Sequence, residues 1–345
     1  MRLLHSSFTV LGLVRRFLPG VLALVAWVPT PVRSAAIALP PPPAPGTFRV
    51  LSWNVSQENL FKFSDRYRAI FRITVPDILL LDEIQGGRSP AEIARILHGI
   101  DGSTNTTWNV VIGSAGGYQR AGVVSRHPVE PVPELDGLRY PAADFDRLKT
   151  LVPESAWNSR VQRNLDLGIP TAGGILRIGE RRVLAVAIDL QCCNGTNDWP
   201  EIRRQMETRI IHQAIQQTLE RRQVDAVLVA GDLNLVGGSQ PLDILRRPLP
   251  DPHGSLVPAA AVQLDGQETW TWDGRGSAFP SGRLDYSLYS PASLQESRAF
   301  VVSSEDLPAA VLSAHDLKPE TSRELSDHLP IIVDYQWRPS PTRAQ

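Results

Sequence analysis

The sequence predicts an α/β fold with mixed β-sheets, and three observations carry that expectation. Short apolar runs rich in β-branched residues alternate with amphipathic segments along most of the chain, the pattern of strands layered against helices. Two of those runs, GGILRIG and RVLAVAIDL, are joined by a short turn at Gly179 and Glu180, a hairpin that forbids an all-parallel arrangement. One long segment, from Trp199 to about Gln223, repeats Ile202, Met206, Ile210 and Ala214 at i+4 with Ile211 and Ile215 beside them, which predicts a helix lying on a sheet.

In chain order, the first expected strand is Phe48 to Val55 (FRVLSWNV), followed by Asp77 to Ile84 (DILLLDEI), Trp108 to Ser114 and Ala121 to Arg126. After the hairpin come DAVLVAGDLN, RLDYSLYS and LPIIVDYQW, each bounded by polar or turn-forming residues. Helices are expected at Ser64 to Ile73 and Pro90 to Leu97. For the long helix, Asp198 followed three residues later by Glu201 reads as a capping box, and Pro200 sits in the first turn, where a missing N–H costs nothing. The stretches Arg139 to Thr171 and Pro248 to Phe279 read as long loops of the kind that shape a substrate site. Trp157, Trp270 and Trp272 within them either line that site or pack on the core.

Polar residues end one apolar run after another: Asn54, then Asp82 and Glu83, Asp189, Asp232 with Asn234, Asp285, and finally Asp327 with His328. Singly, each has an ordinary explanation, since an Asp before a turn usually accepts a backbone N–H. Together they would be costly to bury, because desolvation and mutual repulsion both penalise ionised carboxylates. A divalent cation would compensate them. Oxygen ligands without a Cys or His cluster suit Mg2+, with Mn2+ or Ca2+ as alternatives, and suit zinc poorly. Such an ion beside an imidazole is suited to phosphoryl chemistry.

The ordered set WNV, PDILLLDEI, GVVSRHPV, GDLN, RLDY and SDHLPI resembles the endonuclease/exonuclease/phosphatase superfamily, over roughly Phe48 to Tyr335. That resemblance implies a four-layer α/β/β/α sandwich, two mixed sheets face to face with helices on both outer faces and the site at one edge. It also implies roles: Glu83 as principal metal ligand, Asn54 assisting, Asp327 supporting the metal or the leaving-group side, Asp232 orienting or deprotonating the attacking water, Asn234 holding a phosphoryl oxygen, and Asp285 paired with His328. The chain departs from the family at Asp189, where many members carry His or Tyr. An Asp there would assist the leaving group only with a raised pKa, and would otherwise bind a second metal or a substrate hydroxyl. The implied reaction is metal-dependent hydrolysis of a phosphodiester, nucleic acid or phospholipid, or of a phosphomonoester. The competing expectation is a noncatalytic binding domain of the same fold, which is harder to reconcile with the retention of Glu83, Asp232, Asn234 and His328.

The chain has 35 Lys and Arg against 36 Asp and Glu, a net charge of -1 that does not suit a tight, nonspecific binder of nucleic acid. Nucleic acid is therefore expected as substrate only. The first 38 residues contain Arg2, Arg15, Arg16 and Arg33, no acidic residue, the apolar run FLPGVLALVAWV and then small residues, the parts of a cleaved export signal. A signal anchor is the alternative, though Pro19 and Pro29 leave the run short of the ~20 residues a span needs. The expected organisation is a signal peptide over 1–38, a Pro-rich linker over 39–47, a catalytic domain over 48–337 and a tail over 338–345. Export also bears on Cys192 and Cys193, whose neighbouring Cα atoms would make a disulfide strained, so oxidised and reduced forms are both open.

Overall fold

Along most strands one set of alternate side chains enters a core between two sheets and the other a core beneath helices, so the apolar runs are buried on both faces. The computed structural model describes residues 43–154, 159–193 and 198–339. The expected leader, the first residues of the Pro-rich linker, Trp157 and residues 340–345 lie outside the described residues.

The strands are β1 (Thr47–Gln57), β2 (Ile78–Gln85), β3 (Asn109–Ile112), β4 (Gln119–Ser125), β5 (Val129–Pro131), β6 (Thr171–Ile178) and β7 (Arg181–Asp189). They continue with β8 (Ala226–Asp232), β9 (Val257–Pro258), β10 (Val262–Gln263), β11 (Asp285–Tyr289), β12 (Leu294–Val301) and β13 (Ile331–Trp337). One sheet has the order β10-β12-β13-β1-β2-β4-β3 and the other β5-β6-β7-β8-β11-β9. Both are mixed: β1 with β2 and β7 with β8 are parallel pairs, while β2 with β4 and β8 with β11 are antiparallel.

Between the sheets, Val50, Ile78 and Leu80 meet Ala185, Ala187, Leu228 and Ala230. On the outer face of the first sheet, Leu51, Trp53, Leu79 and Leu81 receive Tyr67, Ile70 and Phe71 of helix Ser64–Thr74 and Ile93 and Leu97 of helix Pro90–Leu97. On the outer face of the second, Leu184, Val186, Val227 and Val229 receive Met206, Ile211 and Ile215 of helix Trp199–Arg221. Each fully buried Leu, Ile or Phe in these layers contributes roughly 1.5–3 kcal/mol.

Two expectations are corrected, and one strand was not anticipated. The stretch from Arg139 contains helices Ala142–Leu151 and Ser159–Asp166; the first buries little beyond Leu148, so its apolar periodicity is faint. Strand β12 escapes a reading by pattern because Gln295, Glu296, Ser297 and Arg298 run through its middle, where the register shifts against β13. The capping box at Asp198 does not form. Glu201 turns into the protein and binds the buried guanidinium of Arg204, whereas Ser89 and Glu92 make a true reciprocal cap on helix Pro90–Leu97.

Candidate active site

Side-chain parity brings the strand-end polar groups to one place. In β1 and β2 the even residues Val50, Ile78 and Leu80 face the inter-sheet core, and Asn54 and Asp82 continue those faces as register partners. In the opposite sheet Ala187 and Ala230 face the same core, Asp189 and Asp232 follow them in register, and Asp285 is paired with Asp232 from the other side. The inter-sheet core thus ends in a row of three aspartates on β7, β8 and β11, with Asn54 and Asp82 supplied by the first sheet.

Strict alternation would send Glu83 away from this row. The pairing of β2 shifts on both sides, between Asn54 and Gln57 on β1 and between Leu81 and Ile84 against β4, and Glu83 itself has φ 51°. Such a bulge re-aims a side chain, and here two consecutive carboxylates serve one site. Glu83 is half-buried, accepts from Gln57 Nε2 at 3.2 Å, and its charge acts on Asp189, Asp232 and Tyr67.

His328 is held on every side. Its backbone N–H donates to Ser326 Oγ at 3.0 Å, Ser326 Oγ donates to the Asn54 carbonyl at 2.8 Å, and Trp53 Nε1 donates to the His328 carbonyl at 2.9 Å. Nδ1 lies 2.8 Å from Asp285 Oδ2, which also accepts from Thr271 Oγ1 at 2.6 Å, and Nε2 lies 3.7 Å from Asp232 Oδ2. Burial alone would lower the imidazole pKa, but the carboxylates of Asp285 and Asp232 outweigh it and raise it well above the usual range. Asp232 is pushed up to about 7, burial being opposed by His328 and reinforced by Asp285 and Glu83.

Asn234 clamps Asp232: its backbone N–H donates to Oδ1 at 2.8 Å, and its side-chain amide donates to Oδ2 and to the Leu190 carbonyl, both at 2.9 Å. Both amide hydrogens are therefore engaged, and holding a phosphoryl oxygen would require releasing one of them. Asp327 is exposed and accepts from Trp272 Nε1 at 3.0 Å. Trp270 packs against the inter-sheet core. Among the described residues, no helix is long and apolar enough to cross a membrane.

The donor set fits a hard cation. Asp82 is fully buried and neither carboxylate oxygen has a hydrogen-bond partner, an arrangement that burial penalises unless a positive charge or a proton is supplied. Burial pushes its carboxyl well up, with Asp189 the strongest neighbouring charge, and Asp189 is likewise raised by burial, then by Glu83 and Asp232. One donor atom each from Asp232, Asp285 and His328 also lie within 4.8 Å of one another, a group that could hold a metal ion. The 2.8 Å contact within that group is, however, a hydrogen bond that already uses His328 Nδ1.

The model of the Endonuclease/Exonuclease/phosphatase family matches residues 51–328. The chain belongs to that family. Among solved structures, an endonuclease/exonuclease/phosphatase from Bacteroides vulgatus is 14% identical with a TM-score of 0.53, covering 85% of this chain and 99% of its own. TDP2 from C. elegans is 16% identical with a TM-score of 0.52, covering 86% and 77%. The human Nocturnin catalytic domain with bound sulfate anion is 17% identical with a TM-score of 0.51, covering 85% and 94%. At these identities the likeness is one of fold. No curated protein matches the chain. The mixed sheets, seven-stranded and six-stranded, and the helices outside them are the endonuclease/exonuclease/phosphatase sandwich.

Two features of this family member were missed in the sequence. Thr271, in an irregular stretch, is the second partner of Asp285, and nothing in TWTWDG signals it. The loop leaving Asp189 is pinned from helix Trp199–Arg221: Glu207 accepts from the Gln191 N–H at 2.8 Å, and Arg204 donates to the carbonyls of Gln191 and Cys193 at 3.0 Å each. Cys192 and Cys193 are free and exposed. Their loop is thus held by buried charges on the helix, without a disulfide.

Proposed function

We propose that this chain is an exported, divalent-metal-dependent phosphoric ester hydrolase that cleaves its substrate by in-line attack of water on phosphorus. The observation that carries the reading is the His328 clamp: Asp285 fixes Nδ1 at 2.8 Å while Nε2 stays beside Asp232 at the end of the inter-sheet core. Asp285 secures the tautomer and favours the charged imidazole, which then stabilises negative charge developing on the phosphoryl group. Asp232, near neutral in pKa and held by Asn234, is suited to orient the attacking water and accept its proton. Glu83, with Asn54 Oδ1 and Asp327, would hold Mg2+, which when bound polarises a phosphoryl oxygen. Asn234 acts as the clamp on Asp232. Asp189 lies at the substrate edge, pinned by the loop that follows it.

The substrate is a phosphate ester, with nucleic acid entering as substrate only, in keeping with the net charge of -1. Residues 1–38 act as a signal peptide, 39–47 as a spacer, 48–337 as the catalytic domain and 338–345 as a tail, supported by the basic, apolar and small-residue order of the leader. The test is turnover of DNA, RNA, sphingomyelin, inositol phosphates and an aryl phosphodiester by the processed protein with Mg2+, Mn2+ or Ca2+. Glu83→Gln and His328→Ala should each lose several orders of magnitude. Activity that survives chelation, or persists in both variants, sinks the reading.

A further inference from the structure

Cys192 and Cys193 are free, exposed thiols on consecutive residues, and the chain contains no other cysteine. The backbone that carries them is fastened along its length. Glu207 Oε2 accepts from the Gln191 N–H at 2.8 Å, the carbonyls of Gln191 and Cys193 each accept from Arg204 Nη1 at 3.0 Å, and the Cys192 carbonyl accepts from Gln191 Nε2 at 2.9 Å. Consecutive Cα atoms lie about 3.8 Å apart across a trans peptide, below the ~4.4–6.8 Å of ordinary disulfides, so closing a ring between the two sulfurs would require the backbone to leave these bonds. Leaving them would strip acceptors from the buried Arg204 guanidinium. The two thiols also differ. The hydrogen bond between them lowers the Cys193 pKa to about 6, with burial opposing and the Arg204 charge assisting, while the same bond drives that of Cys192 up. Cys193 thus holds the thiolate, the form that attacks disulfides.

We propose that Cys193 is a thiolation site: it exchanges with low-molecular-weight disulfides, stops at a mixed disulfide, and in that form weakens the work of the adjoining active site. The Cys193 sulfur attacks one sulfur of R–S–S–R, a Cys193–S–S–R bond forms as the S–S bond of the reagent breaks, and R–S⁻ leaves and takes a proton from water. The Cys193 sulfur is oxidised and the departing sulfur reduced, so no further reagent is needed. Cys192 remains a thiol, because reaching the new bond would need the same backbone rearrangement that a ring requires. The adduct is coupled to the site through Leu190, on the same short segment. The Leu190 N–H donates to the Asp232 carbonyl at 2.9 Å, and the Leu190 carbonyl accepts from the Asn234 amide that clamps Asp232. The inference rests on the reading of the chain as an exported phosphoric ester hydrolase, since oxidising surroundings supply such disulfides.

Incubation of the full chain with glutathione disulfide, followed by intact mass and peptide mapping, decides the chemistry without reference to activity. The wild type should gain the mass of one glutathionyl group, on Cys193, and Cys192→Ser should gain the same, whereas Cys193→Ser should stay unmodified over the same time. A loss of two hydrogens with no adduct, the signature of a ring, overturns the proposal, as does an adduct on Cys192, on both residues or on neither. Turnover decides the consequence. With an ester that the wild type hydrolyses, thiolation should lower kcat/KM several-fold, dithiothreitol should restore it, and Cys193→Ser should be active and insensitive to the disulfide. An adduct on Cys193 that leaves kcat/KM unchanged overturns the coupling to the site. A chain that takes the adduct but hydrolyses no ester with any of the divalent ions refutes the hydrolase reading instead, and the thiolation site stands on its mass.

Discussion

His328 Nδ1 lies 2.8 Å from Asp285 Oδ2, between two groups that are both almost wholly buried. A carboxylate there can only accept, so Nδ1 carries a hydrogen and Nε2 is turned toward Asp232. Asp285→Asn keeps the shape but can offer an N–H to Nδ1, which selects the other tautomer and removes the charge that favours imidazolium. Turnover should fall roughly 10²- to 10⁴-fold with little change in KM. An unchanged kcat in folded Asp285→Asn would take the pair out of the mechanism.

The buried row makes stability depend on pH in a direction that can be worked out. Asp82, Asp189 and Asp232 have pKa values raised above the unfolded value of 3.8, and that of His328 is raised above 6.5. Where a folded-state pKa is raised, the folded chain binds more protons than the unfolded one, so stability is present at low pH and is lost as pH rises through the folded value. The metal-free protein should therefore melt at progressively lower temperature from about pH 5 to pH 8, the window above the ordinary carboxylate range and through the value of about 7 at Asp232. Mn2+ should recover most of the loss. A melting temperature in chelator that climbs across this range would contradict the burial argument.

Much of this was legible because strand alternation is a local rule. Asp189 and Asp232 continue the faces of Ala187 and Ala230, so an apolar run ending in Asp announces a carboxylate at the rim of the core. The meeting of Glu83 with these groups was not legible from alternation, because it depends on a bulge and a positive φ that no residue in DEIQ demands. Glu201 shows the opposite error. Its spacing from Asp198 satisfies the capping pattern, but a buried guanidinium, invisible in sequence, competes for the same carboxylate and wins.

The glycine of GDLN is required by the packing of two strands. Gly231 has φ 142°, and a Cβ placed on it would lie 1.9 Å from the carbonyl oxygen of Ile188, its register partner on β7. Gly231→Ala must therefore push β8 from β7 at the point where Asp189 and Asp232 stand side by side. A loss of more than about 3 kcal/mol is expected in chemical denaturation, well beyond the typical single substitution. A value below about 1 kcal/mol would mean that the strands separate without cost.

Arg204 and Glu201 bear on the loop that leaves Asp189. The guanidinium is fully buried, pairs with Glu201 Oε2 at 2.8 Å, and donates to the carbonyls of Gln191 and Cys193. Removing it strands the Glu201 carboxylate in the interior and frees two loop carbonyls, so Arg204→Met should cost about 3–5 kcal/mol. Glu201→Met alone should also destabilise the fold, and the double variant should cost clearly less than the two added together, since the second change removes the charge that the first left unpaired. A double-mutant cycle in urea measures that coupling. Where the double variant folds, substrate affinity should still be weakened, because neither Met restores the hydrogen bonds to Gln191 and Cys193. Additive losses, or an unchanged KM in the double variant, would show that helix Trp199–Arg221 does not position this edge of the site.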